Sequence, residues 1–349
     1  MNVRINNVFV RSIATALPDE TYDLTDLSDI YGEDEVNRII KINGISKIRV
    51  APEEVCASDL CEKAANLILE NNDKEKIQGI VFVSQTPDYI LPATSACLQH
   101  RLGLSNECVA FDISNGCPGY IYGLFQAAML INSGSCDSVL VCAGDVISKY
   151  INPLDRSNRM VFGDAGSATI LEKGAGKISF SIMTDGSGAD NLIIPAGGCR
   201  YPKNEDSEMV SVKNDGNMRS DEDLFMNGLE IMNFSNREVP IRVDAVIDKQ
   251  GWEKSEVTLF GFHQANQFML NNLRKIMKIS KEKLPIAMQE TGNTGQASIP
   301  LMLALEQKNL IKNNRLEKSV LCGFGVGLSC AAAALDLSKT TIQSMNSDV

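Results

Sequence analysis

Short apolar runs alternate with amphipathic stretches along most of the chain. Gly79–Ser84, Cys108–Ile113, Val139–Ala143 and Val257–Gly261 are nearly continuous in Val, Ile, Leu, Phe and Cys. Runs of that length and composition suit strands buried on both faces, as in a parallel sheet covered by helices. Between the first strands, Ser58–Asn71 places Leu60, Ala64, Leu67 and Ile68 on one helical face, with a serine at its start as cap. The opening residues Met1–Val8 lack the apolar stretch and small-residue cleavage site of a secretory signal and are expected to form a strand. The most apolar segment, Ser319–Leu337, is broken by Gly323, Gly325, Gly327 and Ser329, which suits strand, turn and strand better than a membrane span. An α/β fold follows.

The two ends of the chain echo one another. A helix over Gly119–Ser133 leads through a polar turn into the strand Asp137–Cys142; a helix over Ser298–Ile311, with Pro300 in its first turn, leads likewise into Lys318–Cys322. Duplication of one α/β unit is the economical explanation. The division is expected near 170 to 180, after a strand over Ala165–Leu171, giving halves 1–175 and 176–349 that share an interface. Tyr201–Asp223 is polar and expected as a surface excursion, and Ser338–Val349 as a frayed end.

Composition narrows the picture. The 349 residues are 44% hydrophobic, enough for a large core, and the net charge of -11 argues against nucleic acid as a partner. Ten cysteines without a C-x-x-C pair read as reduced thiols of a cytoplasmic protein, and two histidines outside any Cys/His cluster give no support for a metal.

Three short segments could carry chemistry. Cys117, in Ser114-Asn-Gly-Cys-Pro-Gly, follows a strand and precedes a helix, so unpaired N–H groups and the helix dipole are expected to lower its thiol pKa from about 8.5. The flanking glycines leave room for a carbonyl, and the Cys117 N–H can face a developing oxyanion. His263 follows the strand Val257–Phe260 at the matching junction of the second half, where open α/β sheets place ligands. Asn293 sits in a glycine-flanked loop that enters a helix. Taken singly, each also fits a bland role: a buried thiol, a structural histidine, a turn asparagine. Asp155-Arg156 and Gly163–Gly166 read equally well as turns. Cys322–Ser329 is glycine-rich but is followed by a strand, not the helix that a dinucleotide loop requires.

Together these segments resemble the thiolase-fold condensing enzymes, most closely the β-ketoacyl-[acyl carrier protein] synthase III family, over roughly residues 5 to 337. The resemblance rests on Asn115-Gly-Cys117, Asp155-Arg156 leading to Phe162–Gly166, Pro195–Gly198, His263–Asn266, Gly292-Asn293-Thr294 and the closing Gly323-Phe-Gly-Val-Gly turn, in the family's order. It implies two pseudo-symmetric βαβαβαββ halves in a five-layered αβαβα arrangement, and a homodimer. It also implies that Cys117 takes an acyl group from a coenzyme A or acyl carrier protein thioester. His263 and Asn293 would then bind a malonyl thioester during decarboxylative Claisen condensation, with the N–H groups of Cys117 and Val326 as oxyanion hole. Arg156, Asn266, Gly228 and Phe324 would line the substrate path, and Leu91 would cross the dimer interface to close the acyl pocket. No cofactor or membrane is implied, and acyl carrier protein is the expected partner.

Some positions depart from the family's pattern. Arg38 and Ile42 stand where members that use coenzyme A commonly have tryptophan and arginine; Asn233 and Phe268 stand at places often basic, while Arg274 and Lys275 remain; Val326 replaces a common glycine. Leu91 is smaller than the frequent phenylalanine, which suggests a primer other than acetyl. A biosynthetic thiolase would need a second active-site cysteine, and Cys322 is one residue out of register. A plant-type polyketide synthase shares Cys, His and Asn but is longer. The remaining alternatives are an acyltransferase that passes the Cys117 acyl group to an alcohol or amine with His263 as base, and a noncatalytic subunit.

Overall fold

The computed structural model describes residues 1–345. Its elements, in chain order, begin with β1 (Asn2–Ala16), α1 (Glu33–Asn43), α2 (Ala57–Leu69), β2 (Gly79–Val83), α3 (Thr94–Arg101), β3 (Val109–Ile113), α4 (Gly119–Asn132), β4 (Ser138–Asp145) and β5 (Ala165–Thr184). They continue with α5 (Gly228–Gln250), β6 (Leu259–Phe262), α6 (Gln267–Ile276), α7 (Ser298–Leu305), β7 (Ser319–Gly325), β8 (Ser329–Leu335) and β9 (Thr341–Ser344).

Strand order shows the duplication. In the first half, β3, β2 and β4 run parallel and β5 returns antiparallel beside β4. In the second, β6 and β7 run parallel and β8 returns antiparallel beside β7. Among the described residues the counterpart of β3 is not formed as a strand in the second half. β5 joins the two: its start pairs with β4 and its end with β8, so it runs unbroken through the expected division at 175/176. β1 lies against β5 along nearly its whole length.

Side-chain alternation along the buried strands then defines the layers. Val139, Val141 and Ala143 of β4 face inward with Leu321 of β7, onto α4 and α7; Leu140 and Cys142 face outward onto α2 and α3. Val320, Cys322 and Phe324 of β7 face α5 and α6. Helix, sheet, helix, sheet and helix are thus stacked in five layers, the thiolase fold. Among the described residues no helix is long and apolar enough to cross a membrane.

Local details differ from the expectations. Cys56, not Ser58, starts α2, with the Asp59 carboxylate accepting its N–H at 2.7 Å; Ser58 instead donates to Asp88. The helix after Ser298 ends at Leu305 and a second short one spans Gln307–Lys312. The expected frayed end contains β9, which pairs with β1 and buries Ile342; residues 346–349 lie outside the described residues. The Tyr201–Asp223 excursion also has buried anchors: the Arg219 guanidinium donates to Asp155 at 2.9 Å and Asp215 at 2.6 Å, and its side chain is only 5% exposed.

Candidate active site

The site forms where the matching ends of the two halves meet. Cys117 sits between β3 and α4, and its carbonyl packs against Gly323 of β7, where a Cβ would stand 2.6 Å from that oxygen. Two residues on, a Cβ at Gly325 would lie 3.0 Å from Cys117 Sγ, at a φ of +149°. Glycine at both positions lets the end of β7 pass the nucleophile and brings the Val326 N–H to the sulfur. The N–H groups of Val326 and Cys117 both favour the thiolate over the thiol.

Two cavities touch Cys117. The first, about 370 Å³, opens to solvent beside α1 and is lined by Arg156, Gly228, His263, Asn266, Asn293 and Phe324 among others. The second, about 290 Å³, is lined by Ile147, Phe162, Leu192, Ile193, Ile194, Leu224 and Val326, with Gln85, Asp145 and Gln296 as its polar side chains. Outside the first cavity lies a polar groove of about 750 Å³ bounded by Lys213, Asp215, Arg219 and Asp223; of the Pro195–Gly198 loop, Pro195 borders this groove.

His263 follows β6 directly, and its backbone N–H donates to the Cys322 carbonyl of β7 at 2.8 Å. Its Nδ1 lies 2.7 Å from Ser298 Oγ, and Phe324 packs edge-on to the ring at 5.5 Å. Burial pulls the imidazole pKa down to about 4, against a hydrogen bond to the Gly295 backbone, so His263 is neutral near pH 7. Asn293 is held by the other half: its N–H donates to the Val161 carbonyl at 2.8 Å and its carbonyl accepts the Gly163 N–H at 3.0 Å. Asn293 Oδ1 accepts the Gly295 N–H at 3.0 Å, leaving the Nδ2 donors for the cavity.

Burial outweighs the helix N-terminus at the nucleophile. The Cys117 thiol is pushed up to about 12 by burial, opposed by the Val326 N–H, pushed further by the Asp145 charge and opposed by its own N–H. Cys117 retains some accessible area because both cavities reach it, but protein surrounds it beyond them. The expected lowering of the thiol pKa is therefore not found.

Five of the expected substrate-path residues are placed as follows. Arg156 sits at the mouth, 3.3 Å from Glu35, which also pairs with Arg38 at 2.7 Å. Asn266 caps α6, its Oδ1 accepting the Met269 N–H at 2.8 Å, and borders the first cavity. Gly228 opens α5 between cavity and outer groove, and Phe324 backs His263. Leu91 lies apart from both cavities, 79% exposed beside Tyr89 and Ile90. Ser298, Asp145, Gln296 and Glu35 escaped sequence reading. Only Ser298 carried a signal, as a hydroxyl entering the helix after Asn293.

The chain matches the family described as 3-Oxoacyl-[acyl-carrier-protein (ACP)] synthase III over residues 111–186 and that family's C-terminal region over 247–337. It is 31% identical, over 96% of both chains, to a "Putative 3-oxoacyl-[acyl-carrier-protein] synthase 3" of Campylobacter jejuni. It is also 31% identical to the "Beta-ketoacyl-[acyl-carrier-protein] synthase III" of Lactococcus lactis, over 94% of this chain and 98% of that one. The chain belongs to the β-ketoacyl-[acyl carrier protein] synthase III family. A synthase III family chain is an acyl-transferring condensing enzyme, which excludes a purely structural subunit. Among solved structures, a 3-oxoacyl-(acyl-carrier protein) synthase from Burkholderia xenovorans superposes with a TM-score of 0.91 at 37% identity, covering 99% of this chain and 98% of that chain. An OleA structure from Xanthomonas campestris, at 21% identity and a TM-score of 0.77, shares the fold.

Proposed function

We propose that this synthase III family enzyme loads an acyl group from a thioester onto Cys117 and condenses it with a malonyl thioester to give a β-ketoacyl thioester. The position of Cys117 between two cavities, with His263 and Asn293 in the wall of one of them, carries this reading. The second cavity takes the acyl chain. The first takes the thiol arm of the donor and then of the malonyl unit.

In the first step the Cys117 sulfur attacks the thioester carbonyl, the carrier leaves as its thiol with the cysteine's proton, and the oxyanion rests on the N–H groups of Cys117 and Val326. In the second, Asn293 Nδ2 and a ring N–H of neutral His263 donate to the malonyl thioester oxygen. Carbon dioxide departs, and the electron pair of the broken C–C bond becomes an enolate stabilised by those donors. The enolate carbon attacks the acyl carbonyl, and the tetrahedral intermediate collapses by expelling the Cys117 thiolate, which takes a proton from solvent. A histidine with a pKa near 4 makes a weak general base, which disfavours acyl transfer to an alcohol or amine through His263.

The donor is a carrier-protein or coenzyme A thioester. Arg38 and Arg156 line the first cavity, while Arg274 and Lys275 lie in the last turn of α6 and the exposed Phe268 in its first turn. The Tyr89–Leu91 patch supports a homodimer in which Leu91 covers the partner's acyl cavity, whose rim includes Gln85 of the same segment. Intact-mass measurement with acyl thioesters tests the loading step, and carbon dioxide release from a malonyl thioester tests the second. Acylation lost in Cys117→Ala but kept in Cys322→Ala, followed by carbon dioxide release, is expected. Acyl transfer to a hydroxyl without carbon dioxide would sink the condensation.

A further inference from the structure

The acyl cavity is not uniformly apolar. Asp145, at the end of β4, is 3% exposed and Gln296 is fully buried, and both line the second cavity. The Ser84 hydroxyl, the Gln85 N–H, and the Thr86 N–H and hydroxyl all donate to Asp145 Oδ1, at 2.8, 2.8, 3.1 and 3.0 Å. That convergence holds the Ser84–Thr86 turn. An amide oxygen in the same place would accept the same bonds, so the turn alone does not call for a buried carboxylate.

The other oxygen, Oδ2, faces Gly295, where a Cβ would lie 3.3 Å away; Gly295 also borders the cavity. Gln296 gives its Nε2 to the carbonyls of Gly144 at 3.0 Å and Val83 at 3.3 Å, and its amide also hydrogen-bonds the Asp145 carboxylate. Its Oε1 has no hydrogen-bond partner among the described residues. The Gly295 N–H beside the cavity is already given to Asn293 Oδ1. The cavity wall beside Cys117 thus holds one buried acceptor without a partner among the described residues, Gln296 Oε1, next to a buried carboxylate. Burial raises the Asp145 pKa to about 6, which measures the cost of keeping a charge there.

We propose that the acyl group carried by Cys117 bears a hydrogen-bond donor, a hydroxyl or amino group, on one of its first carbons, and that Asp145 and Gln296 read it. This rests on Cys117 being the acyl carrier. A plain alkyl chain would lay methylenes against a carboxylate and an unpaired amide oxygen, whereas a donor satisfies them. Gln85, whose N–H donates to Asp145 Oδ1 at 2.8 Å, also lies against Gly116 beside Cys117, where a Cβ would stand 2.3 Å from Gln85 Oε1, and this closeness places the donor near carbon 3 rather than at the end of a long chain. The cavity of about 290 Å³ suits a short acyl group of this kind.

The test uses N-acetylcysteamine thioesters, which remove any dependence on the natural carrier. Rates of Cys117 acylation are followed by intact mass for butanoyl, 3-hydroxybutanoyl and 3-aminobutanoyl groups. Acylation by one of the polar pair on the order of ten- to a hundredfold faster than by butanoyl is expected, the range for a hydrogen bond to a charged group. In Asp145→Asn that ratio should fall at least fivefold. If this variant does not fold, the wild-type series alone decides. Butanoyl loading as fast as either polar group overturns the proposal while leaving the acyl-carrier reading intact. Absence of acylation by every thioester overturns both.

Discussion

His263 Nδ1 stands 2.7 Å from the hydroxyl oxygen of Ser298, and that oxygen also accepts the Gln264 N–H at 3.3 Å. A hydroxyl can give or take a proton in a hydrogen bond, so Ser298 holds the ring in either tautomer. It touches neither cavity and acts only through His263. Ser298→Ala is expected to leave Cys117 acylation unchanged and to slow carbon dioxide release by roughly tenfold, the worth of one neutral hydrogen bond. Ser298→Thr should recover most of that loss. Equal slowing of both steps would point to a general structural fault instead.

Asn293 offers a sharper separation of the two steps. Its Oδ1 is held by the Gly295 N–H, so the amide supplies two N–H donors on the other side. Asn293→Asp keeps the shape and replaces those donors with a charged acceptor facing the thioester oxygen. Decarboxylation should fall by about 10²–10³. Single-turnover acylation, which does not pass through that oxygen position, should change by less than about threefold. The comparison is made by rapid-quench mass analysis of each half-reaction.

Much of this site was legible because its residues sit at repeated junctions. Cys117 after β3 and His263 after β6 follow apolar runs whose burial alone predicts strands, and the glycines of β7 announce a close backbone approach. What escaped reading depends on side chains that distant segments bring together. Arg219 lies in a stretch rich in Asp, Asn and Ser that looks solvated, yet it is buried against Asp155, 64 positions away. Asp145 ends an apolar strand like any strand-end acid, and only folding aims the Ser84–Thr86 turn at it. The lowered thiol pKa expected of Cys117 failed for a related reason: a helix start is visible in sequence, but the depth of burial around it is not.

The buried Arg219–Asp155 pair predicts a stability effect beside the outer groove. Their side chains are 5% and 1% exposed, and Arg219 also stacks over Phe225 at 5.0 Å. Removing one partner strands the other charge in the interior, so Asp155→Ala should cost about 3–5 kcal/mol in urea unfolding. Replacing the arginine with a neutral side chain of similar length, Arg219→Met together with Asp155→Leu, should cost much less than either single truncation. If Asp155→Ala costs under about 1 kcal/mol, the pair behaves as a solvated surface contact.

His263 ties stability to pH with a definite sign. Its folded pKa of about 4 lies below the ordinary value of about 6.5, so between those values the unfolded chain binds more protons. The contribution is full above pH 6.5 and is lost as pH falls toward 4, by up to roughly 3 kcal/mol. Asp145, with a folded pKa raised to about 6, acts oppositely in an overlapping window, because it favours the folded state when protonated. The raw pH profile mixes the two, and a variant separates them. The difference in unfolding free energy between wild type and His263→Gln should therefore shrink or reverse from pH 7.5 to pH 4.5. A constant difference would mean that the imidazole titrates normally in the folded enzyme.

The thiol itself gives the final prediction. With burial pushing the Cys117 pKa to about 12, the thiolate is a trace species at neutral pH. The rate of alkylation by iodoacetamide should then rise about tenfold per pH unit from pH 6.5 to 9.5 without a plateau, because each unit multiplies the thiolate fraction tenfold while pH stays below the pKa. The exposed Cys199 and the partly exposed Cys56 and Cys97 react as well, so the Cys117 signal is read by peptide mass analysis in the Cys199→Ser variant. A plateau by pH 7.5 would show that the dipole of α4, together with the N–H groups of Cys117 and Val326, overcomes burial and holds a standing thiolate. In the absence of that plateau, substrate binding has to bring the proton's acceptor, and the departing carrier thiol is the group placed to receive it.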